Sequence, residues 1–282
     1  MVSCIPLPDV CETDLLNAVV AERQGGVNRN FFNEIHVEWT ERVQAYVAER
    51  GNPQSVPTWP FVTTPRNSKK FLTLYNSPKP GAAQAEVLRQ LRQKHGYQFC
   101  PSCGEAGNPD TLDHYLPKKK FPHFAVTVSN LTPMCGGCQR RKSDDVGDEA
   151  NPKFFIHPYF DDFASDQLLQ LEINPPFRTP TFGLQVCAGL PEATKGTVEQ
   201  HVRRLELPKR YRGFFRNRYK RLLKQAQLCR DEGVPFRAFL MVTKAGHEAD
   251  GKNTWDHIFF FSVLENEDLM TFLEDDELPP LM

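Results

Sequence analysis

Cys100-Pro101-Ser102-Cys103 and Cys135-Gly136-Gly137-Cys138 are the two stretches on which the reading of this chain turns. Each is a Cys-x-x-Cys knuckle, and a pair of knuckles supplies the four thiolates that grip one tetrahedral Zn²⁺. Such a site is closed, so the ion staples the chain and does no chemistry. The 31 residues between the knuckles exceed the roughly 15–20 of a plain zinc ribbon, so an element of hairpin size is inserted there. The other four of the eight cysteines, Cys4, Cys11, Cys187 and Cys229, follow no framework pattern. Metal binding in a reducing compartment is therefore expected over disulfides.

The insert carries Leu112-Asp113-His114-Tyr115-Leu116-Pro117-Lys118 and then Asn130-Leu131-Thr132-Pro133-Met134, and the second knuckle runs on into Gln139-Arg140-Arg141-Lys142. Over residues 97–145 this order of elements resembles the HNH endonuclease signature. The resemblance implies a ββα-metal finger with Asp113 and His114 on its first strand, Asn130 in the connecting loop and a metal ligand on the helix after the last cysteine. Phosphodiester hydrolysis needs a general base beside a hard divalent cation. His114, with an ordinary imidazole pKa near ~6.5, suits the base, and Asp113 offers the oxygen that Mg²⁺ or Mn²⁺ prefers. By resemblance Asn130 orients His114. The family places His or Asn after the last cysteine as second ligand to the catalytic ion; here Gln139 stands there, its carbonyl oxygen one methylene further out.

Each residue also has a plainer reading. His114 by itself reads as a surface or packed imidazole, Asn130 as the cap of a turn, and His157, in Phe155-Ile156-His157-Pro158-Tyr159-Phe160, as a packed histidine, not a group closing over the site. Lys118, Lys119, Lys120, Arg140, Arg141 and Lys142 flank the proposed centre as DNA-backbone contacts or as a solvated face.

Around this finger, residues 12–50 carry apolar residues at helical spacing, Leu15, Leu16, Val19 and Val20 and then Phe31, Phe32, Ile35, Trp39, Val43 and Val47, with Gly25-Gly26 as the break. Residues 52–80 hold six prolines, which predicts an irregular connection without long helices. Residues 82–95 read as a helix ending at Gly96. Beyond the finger, 168–173 and 182–186 alternate as short strands, and a basic helical zone interrupted at Pro208 covers 197–230. The apolar runs 236–242 and 257–264, separated by a polar loop, predict a terminal hairpin.

In the basic zone Arg203, Arg204, Lys209, Arg210, Arg212, Arg216, Arg218, Lys220, Arg221 and Lys224 interleave with Tyr211, Phe214, Phe215 and Tyr219. On a helix the aromatics would pack inward and the cations, Arg212, Arg216 and Lys220 among them, would line a groove for duplex phosphates. Docking on an acidic protein is the alternative. No Lys or Arg follows Lys252, and the acidic residues of 265–277 read either as a solvated terminus or as an internal mimic of nucleic acid. The net charge of −1, from 34 Lys and Arg against 35 Asp and Glu, is thus a cancellation of opposed fields.

The fold expected is α+β: a helical N-terminal region with a Pro-rich connection (1–95), an HNH ββα-metal nuclease domain with the Cys4 zinc (96–165), and a C-terminal α+β region with basic helix and acidic tail (166–282). A composition of 40% hydrophobic and 24% charged residues excludes disordered and fibrous classes. No stretch reaches the roughly 20 apolar residues of a membrane span, and no signal-peptide pattern opens the chain, so a cytoplasmic protein is expected. The run from Asp113 to Pro122, His157-Pro158-Tyr159-Phe160 and the segment 197–216 are similar to HNH nucleases of bacterial anti-phage defence operons, the Septu-type and retron-associated ones. That likeness implies DNA as substrate and an ATPase partner subunit. The competing expectation is a catalytically silent zinc module that binds nucleic acid or protein.

Overall fold

A computed structural model describes residues 3–23 and 28–280 of the 282. The expected Gly25-Gly26 break lies outside the described residues. The protein is a mixed α+β chain, mostly helical with two small two-stranded sheets. It divides into two compact units, one of Cys4–Cys100 with Gly107–Asp162, the other of Ser3, Pro101–Ala106 and the chain from Phe163 onward.

In the first unit, α1 (Glu12–Ala21) buries Leu15, Leu16, Val19 and Val20, and α2 (Arg29–Ala48) buries Phe31, Phe32, Ile35, Trp39, Val43 and Tyr46. The Pro-rich stretch corrects the expectation of an irregular connection, since it holds α3 (Pro60–Thr63) and a three-turn helix, α4 (Pro65–Asn76). Pro60 and Pro65 open their helices, where a missing N–H costs nothing and the fixed φ is already helical. The amphipathic α4 buries Phe71, Leu74 and Tyr75, and Phe71 meets Trp39 edge-on at 5.0 Å. After α5 (Ala83–Gln93) the chain reaches β1 (Thr111–His114), which pairs antiparallel with β2 (Leu131–Met134), Asp113 opposite Thr132 and His114 opposite Leu131. Then comes α6 (Gly136–Lys142), capped at its start by the Cys135 sulfur, which accepts from the Cys138 N–H at 3.4 Å. The turn leading into β2 is pinned by Glu12, whose carboxylate accepts from the Val128 and Ser129 N–H groups at 3.0 and 2.6 Å.

In the second unit, β3 (Leu169–Asn174) pairs antiparallel with β4 (Thr181–Val186) and buries Leu169, Leu171 and Ile173 on alternate positions. The helices α7 (Glu192–Arg204) and α8 (Leu207–Asp231) follow, with Pro208 in the first turn of α8. Of the four aromatics expected inside, α8 buries Tyr211, Phe215 and Tyr219, while Phe214 is half-buried. The terminal hairpin is overturned, because the two apolar runs are helices, α9 (Phe236–Glu248) and α10 (Trp255–Leu264). Helix α10 is buried nearly all round, Ile258, Phe259, Phe260 and Val263 being wholly inaccessible, so no helical stripe shows in its sequence. Its start is set by Thr254, whose hydroxyl accepts from the His257 N–H. The acidic stretch is not merely solvated either: it forms α11 (Glu267–Glu274), which buries Leu269, Met270, Phe272 and Leu273. No helix among the described residues is long and apolar enough to cross a membrane.

Candidate functional site

The four knuckle cysteines are brought together. The sulfurs of Cys100, Cys103, Cys135 and Cys138 all lie within 4.8 Å of one another, and none forms a disulfide. Four thiolates in so small a volume fit one soft or borderline ion, and zinc is the ordinary choice. The local chain is shaped for it: Cys135 donates its N–H to the Cys100 sulfur at 3.3 Å, and in the second unit Arg210 donates to the Cys103 sulfur at 3.3 Å while pairing with Glu105 at 2.6 Å. The Cys103 carbonyl accepts from the Trp255 indole at 2.6 Å and from the Tyr211 hydroxyl. Tyr211, one of the aromatics expected merely to pack inward, therefore also braces the knuckle, and Trp255, which the sequence did not single out, braces it too.

Asp113 and His114 sit side by side near the end of β1 and are almost fully buried, at 5% and 6% exposure. The His114 Nε2 lies 3.0 Å from the Ala125 carbonyl oxygen. A carbonyl can only accept, so Nε2 carries the proton and Nδ1 is the basic nitrogen. The ring stands edge-on to Tyr75 at 4.4 Å, and the Tyr75 hydroxyl donates to the Leu112 carbonyl at 2.9 Å. Burial, then the Lys118 charge, pushes the His114 pKa down to about 3, with Lys142 and Arg92 acting in the same sense. The imidazole is thus neutral at pH 7.

The Asp113 carboxylate meets Lys142. Its Oδ2 lies 3.0 Å from the Lys142 ammonium, which also donates to the His114 carbonyl oxygen at 2.7 Å. Lys142 is 1% exposed, which corrects its assignment to the DNA-facing set. Burial raises the Asp113 pKa, and Lys142 opposes that rise. Removing one member of a buried pair strands the other as an unpaired charge, which costs about 3–5 kcal/mol. Lys142→Met should therefore lose that much stability in urea unfolding, and adding Asp113→Asn should restore a large part of it. A single variant as stable as wild type would show that Asp113 is not ionised in the fold.

Two further residues depart from their expected roles. Asn130, fully buried, does not touch His114; its amide accepts from the Leu116 N–H at 2.7 Å and donates to the Leu116 and Phe124 carbonyls at 3.1 and 3.2 Å. It clamps the loop that carries Ala125, and so acts on His114 only through that carbonyl. Gln139 lies on α6 and donates its amide to the Leu112 carbonyl at 3.2 Å. Asp113 and Gln139 are oxygen ligands of the kind that Mg²⁺ or Mn²⁺ takes. The Lys142 ammonium faces Asp113 Oδ2 as an ion pair, while that oxygen has no hydrogen-bond partner among the described residues, so a divalent ion there would compete with Lys142 for it.

Of the remaining cations, Lys119 is exposed and pairs with Asp144 at 3.4 Å, Arg140 is exposed, and Arg141 donates to the Gly137 carbonyl at 3.0 Å. Lys118 is half-buried, its ammonium 4.4 Å from the centre of the Tyr75 ring, on which Arg92 also rests at 4.7 Å. Tyr75 and Arg92 escaped the sequence reading because they belong to α4 and α5, far along the chain from the signature. His157 is the packed histidine of the plainer reading, with no exposure, its Nε2 3.0 Å from the Tyr46 hydroxyl and its ring 4.0 Å from Tyr115. On α8, Arg212, Arg216 and Lys220 are exposed, whereas Arg218 turns in to Asp256 at 2.8 Å.

No family model and no solved structure matches the chain. It is similar to protein ea31 of Escherichia phage lambda, 29% identical over 116 residues. That stretch is 40% of this chain and 39% of the phage protein, so the chain spans about two fifths of that relative.

Proposed function

We propose that the chain is a zinc-stapled hydrolase of nucleic-acid phosphodiester bonds, with DNA as its substrate and His114 as its general base. One observation carries the reading: a neutral imidazole whose Nε2–H is committed to a backbone carbonyl, set among Lys118, Lys142 and Arg92. Hydrolysis requires a water to lose its proton as it attacks phosphorus, and fixed positive charge where the phosphoryl oxygens gather negative charge. His114 Nδ1 takes that proton as the new O–P bond forms, and the sugar oxygen leaves with the electron pair of the broken P–O bond and takes a proton from solvent water. Lys118 and Arg92 supply charge beside it. Burial is the main cause that keeps the imidazole neutral, and a phosphate arriving there offsets only the added repulsion that these cations exert on an imidazolium, which moves His114 toward greater basicity. Asn130 keeps Ala125, and through it the ring, in place. No step is assigned to Mg²⁺ or Mn²⁺, because Lys142 already faces the oxygen that such an ion would take.

In a plasmid-nicking assay, His114→Ala should lower the rate by about 10²–10⁴-fold. Cutting at an unchanged rate would end the role given to His114. Running wild type with and without added Mg²⁺ or Mn²⁺ decides whether Lys142 yields its place to an ion. The second reading, a silent zinc module that binds nucleic acid or protein, is favoured by the buried Asp113–Lys142 pair; binding without cleavage under every metal condition would select it. Service in a cytoplasmic anti-phage complex with an ATPase partner rests on the HNH resemblance alone, and co-purification with such a subunit tests it.

A further inference from the structure

The connection between β3 and β4 crosses α8 within the second unit, where the Tyr219 hydroxyl donates to the Phe177 carbonyl at 2.7 Å. Two cavities of about 610 and 570 Å³ open at this crossing and share Arg178, Thr179, Asn217, Lys220 and Leu223 as walls, so they form one trough. Arg178, Arg216, Lys220, Arg221 and Lys224 line it, and no Asp or Glu does. Arg216, Lys220, Arg221 and Lys224 are exposed, and none makes an ion pair or hydrogen bond with any described residue. The neighbouring cations of α8 are differently employed: Arg218 pairs with Asp256, and Arg230 donates to the Phe272, Leu273 and Asp276 carbonyls. A charge set left unspent along an open concavity has the character of a polyanion site.

Its spacing is regular. Arg212, Arg216, Lys220 and Lys224 recur every four residues on α8, which places them about 6 Å apart along one face. Phe182 and Tyr219, 5.8 Å apart, give the floor an aromatic surface. At one end the chain sets an anion of its own beside the trough, on one of its lining cations: the Glu277 carboxylate lies 3.0 Å from the Arg178 guanidinium, and Pro279 and Pro280 form the adjoining wall. That pair is open to solvent, with 51% and 89% of the two side chains exposed, so it is weak enough to be exchanged.

We propose that this trough seats one strand of a nucleic acid by its phosphates, and that the Glu277 carboxylate is an internal competitor which an incoming phosphate displaces from Arg178. The choice of nucleic acid among polyanions rests on the phosphodiester reading of His114, but the seat itself does not need cleavage. The expected result follows from counterion release, in which each phosphate contact adds roughly 0.7–0.9 to the salt slope.

The test uses the full chain carrying His114→Ala, a fluorescein-labelled 20-nucleotide DNA, and anisotropy titrations over a series of salt concentrations. Adding Arg216→Glu with Lys220→Glu, both at exposed positions, should weaken binding at least about tenfold and reduce the salt slope by about 2. Glu277→Gln should tighten it about two- to fivefold, the range of an exposed ion pair. An unchanged affinity and slope in the double variant, or no binding by the intact trough at low salt, overturns the proposal. So does a trough that holds poly-glutamate more tightly than DNA, which would make it a seat for an acidic protein. Loss of cleavage in wild type with trough-dependent binding retained would instead remove the hydrolase reading and leave the seat standing.

Discussion

Cys135→Ser, or removal of the metal by a chelator, is expected to abolish the folded state of the segment that carries Asp113 and His114. The elements there are too short to stand alone. Strands of four residues each and a helix of seven fall below what an isolated hairpin or helix needs in water. Their ends are gathered by sulfurs within 4.8 Å of one another. Four thiols so placed have no reason to stay together without a cation, and in small zinc modules the ion contributes on the order of 10–16 kcal/mol at neutral pH. One zinc per chain by mass spectrometry is the expected stoichiometry. Chelation should release four titratable thiols and erase or greatly lower the thermal transition. A metal-free chain that melts at the same temperature would show that the cysteine cluster is not a metal site.

Acid should destabilise the first unit steeply well above the pH at which carboxylates protonate. His114 and His123 are held to about 3 by burial, and His157 is held well below its usual value for the same reason. The folded unit therefore keeps all three neutral while the unfolded chain takes up protons as pH falls through about 6.5. The unfolded state binds more protons across that window, so stability rises with pH within it and falls as pH drops. Each histidine contributes about 1.4 kcal/mol per pH unit until its folded pKa is reached. Because the slope is only half reached at the unfolded pKa, three of them between pH 6.5 and 5 amount to roughly 5 kcal/mol, a large share of the 5–15 kcal/mol that holds a domain together. Urea midpoints measured from pH 7.5 down to 5 should record this slope. His123→Phe should remove about a third of it, since neither nitrogen of that buried ring has a hydrogen-bond partner among the described residues. A midpoint flat across the range would mean that these rings accept protons inside the fold.

What was legible in the sequence was local. The two knuckles named their own ligands because Cys-x-x-Cys has few other uses. The alternating runs around Leu171 and Leu184 formed strands because a half-buried sheet leaves a period of two. The first two helices showed their stripes because each has one wet face. Where an element is dry on every side, as α10 is, the period disappears and β-prone aromatics misdirect the reading. Where prolines open helices, as Pro60 and Pro65 do, counting them as breakers conceals the helices.

By itself the sequence determined which side chains could hold a metal, that Asp113 and His114 are neighbours, and that basic residues crowd on one helix. Only the tertiary structure decided that Lys142 is the cation on Asp113, that Ala125 and not Asn130 sets the His114 tautomer, and that Arg178 and Glu277 meet beside α8. The physical reason is range. Ligand identity, helix period and strand alternation are written within a few residues of chain, whereas the partner of a buried charge is chosen by which distant element shares its low-dielectric surroundings.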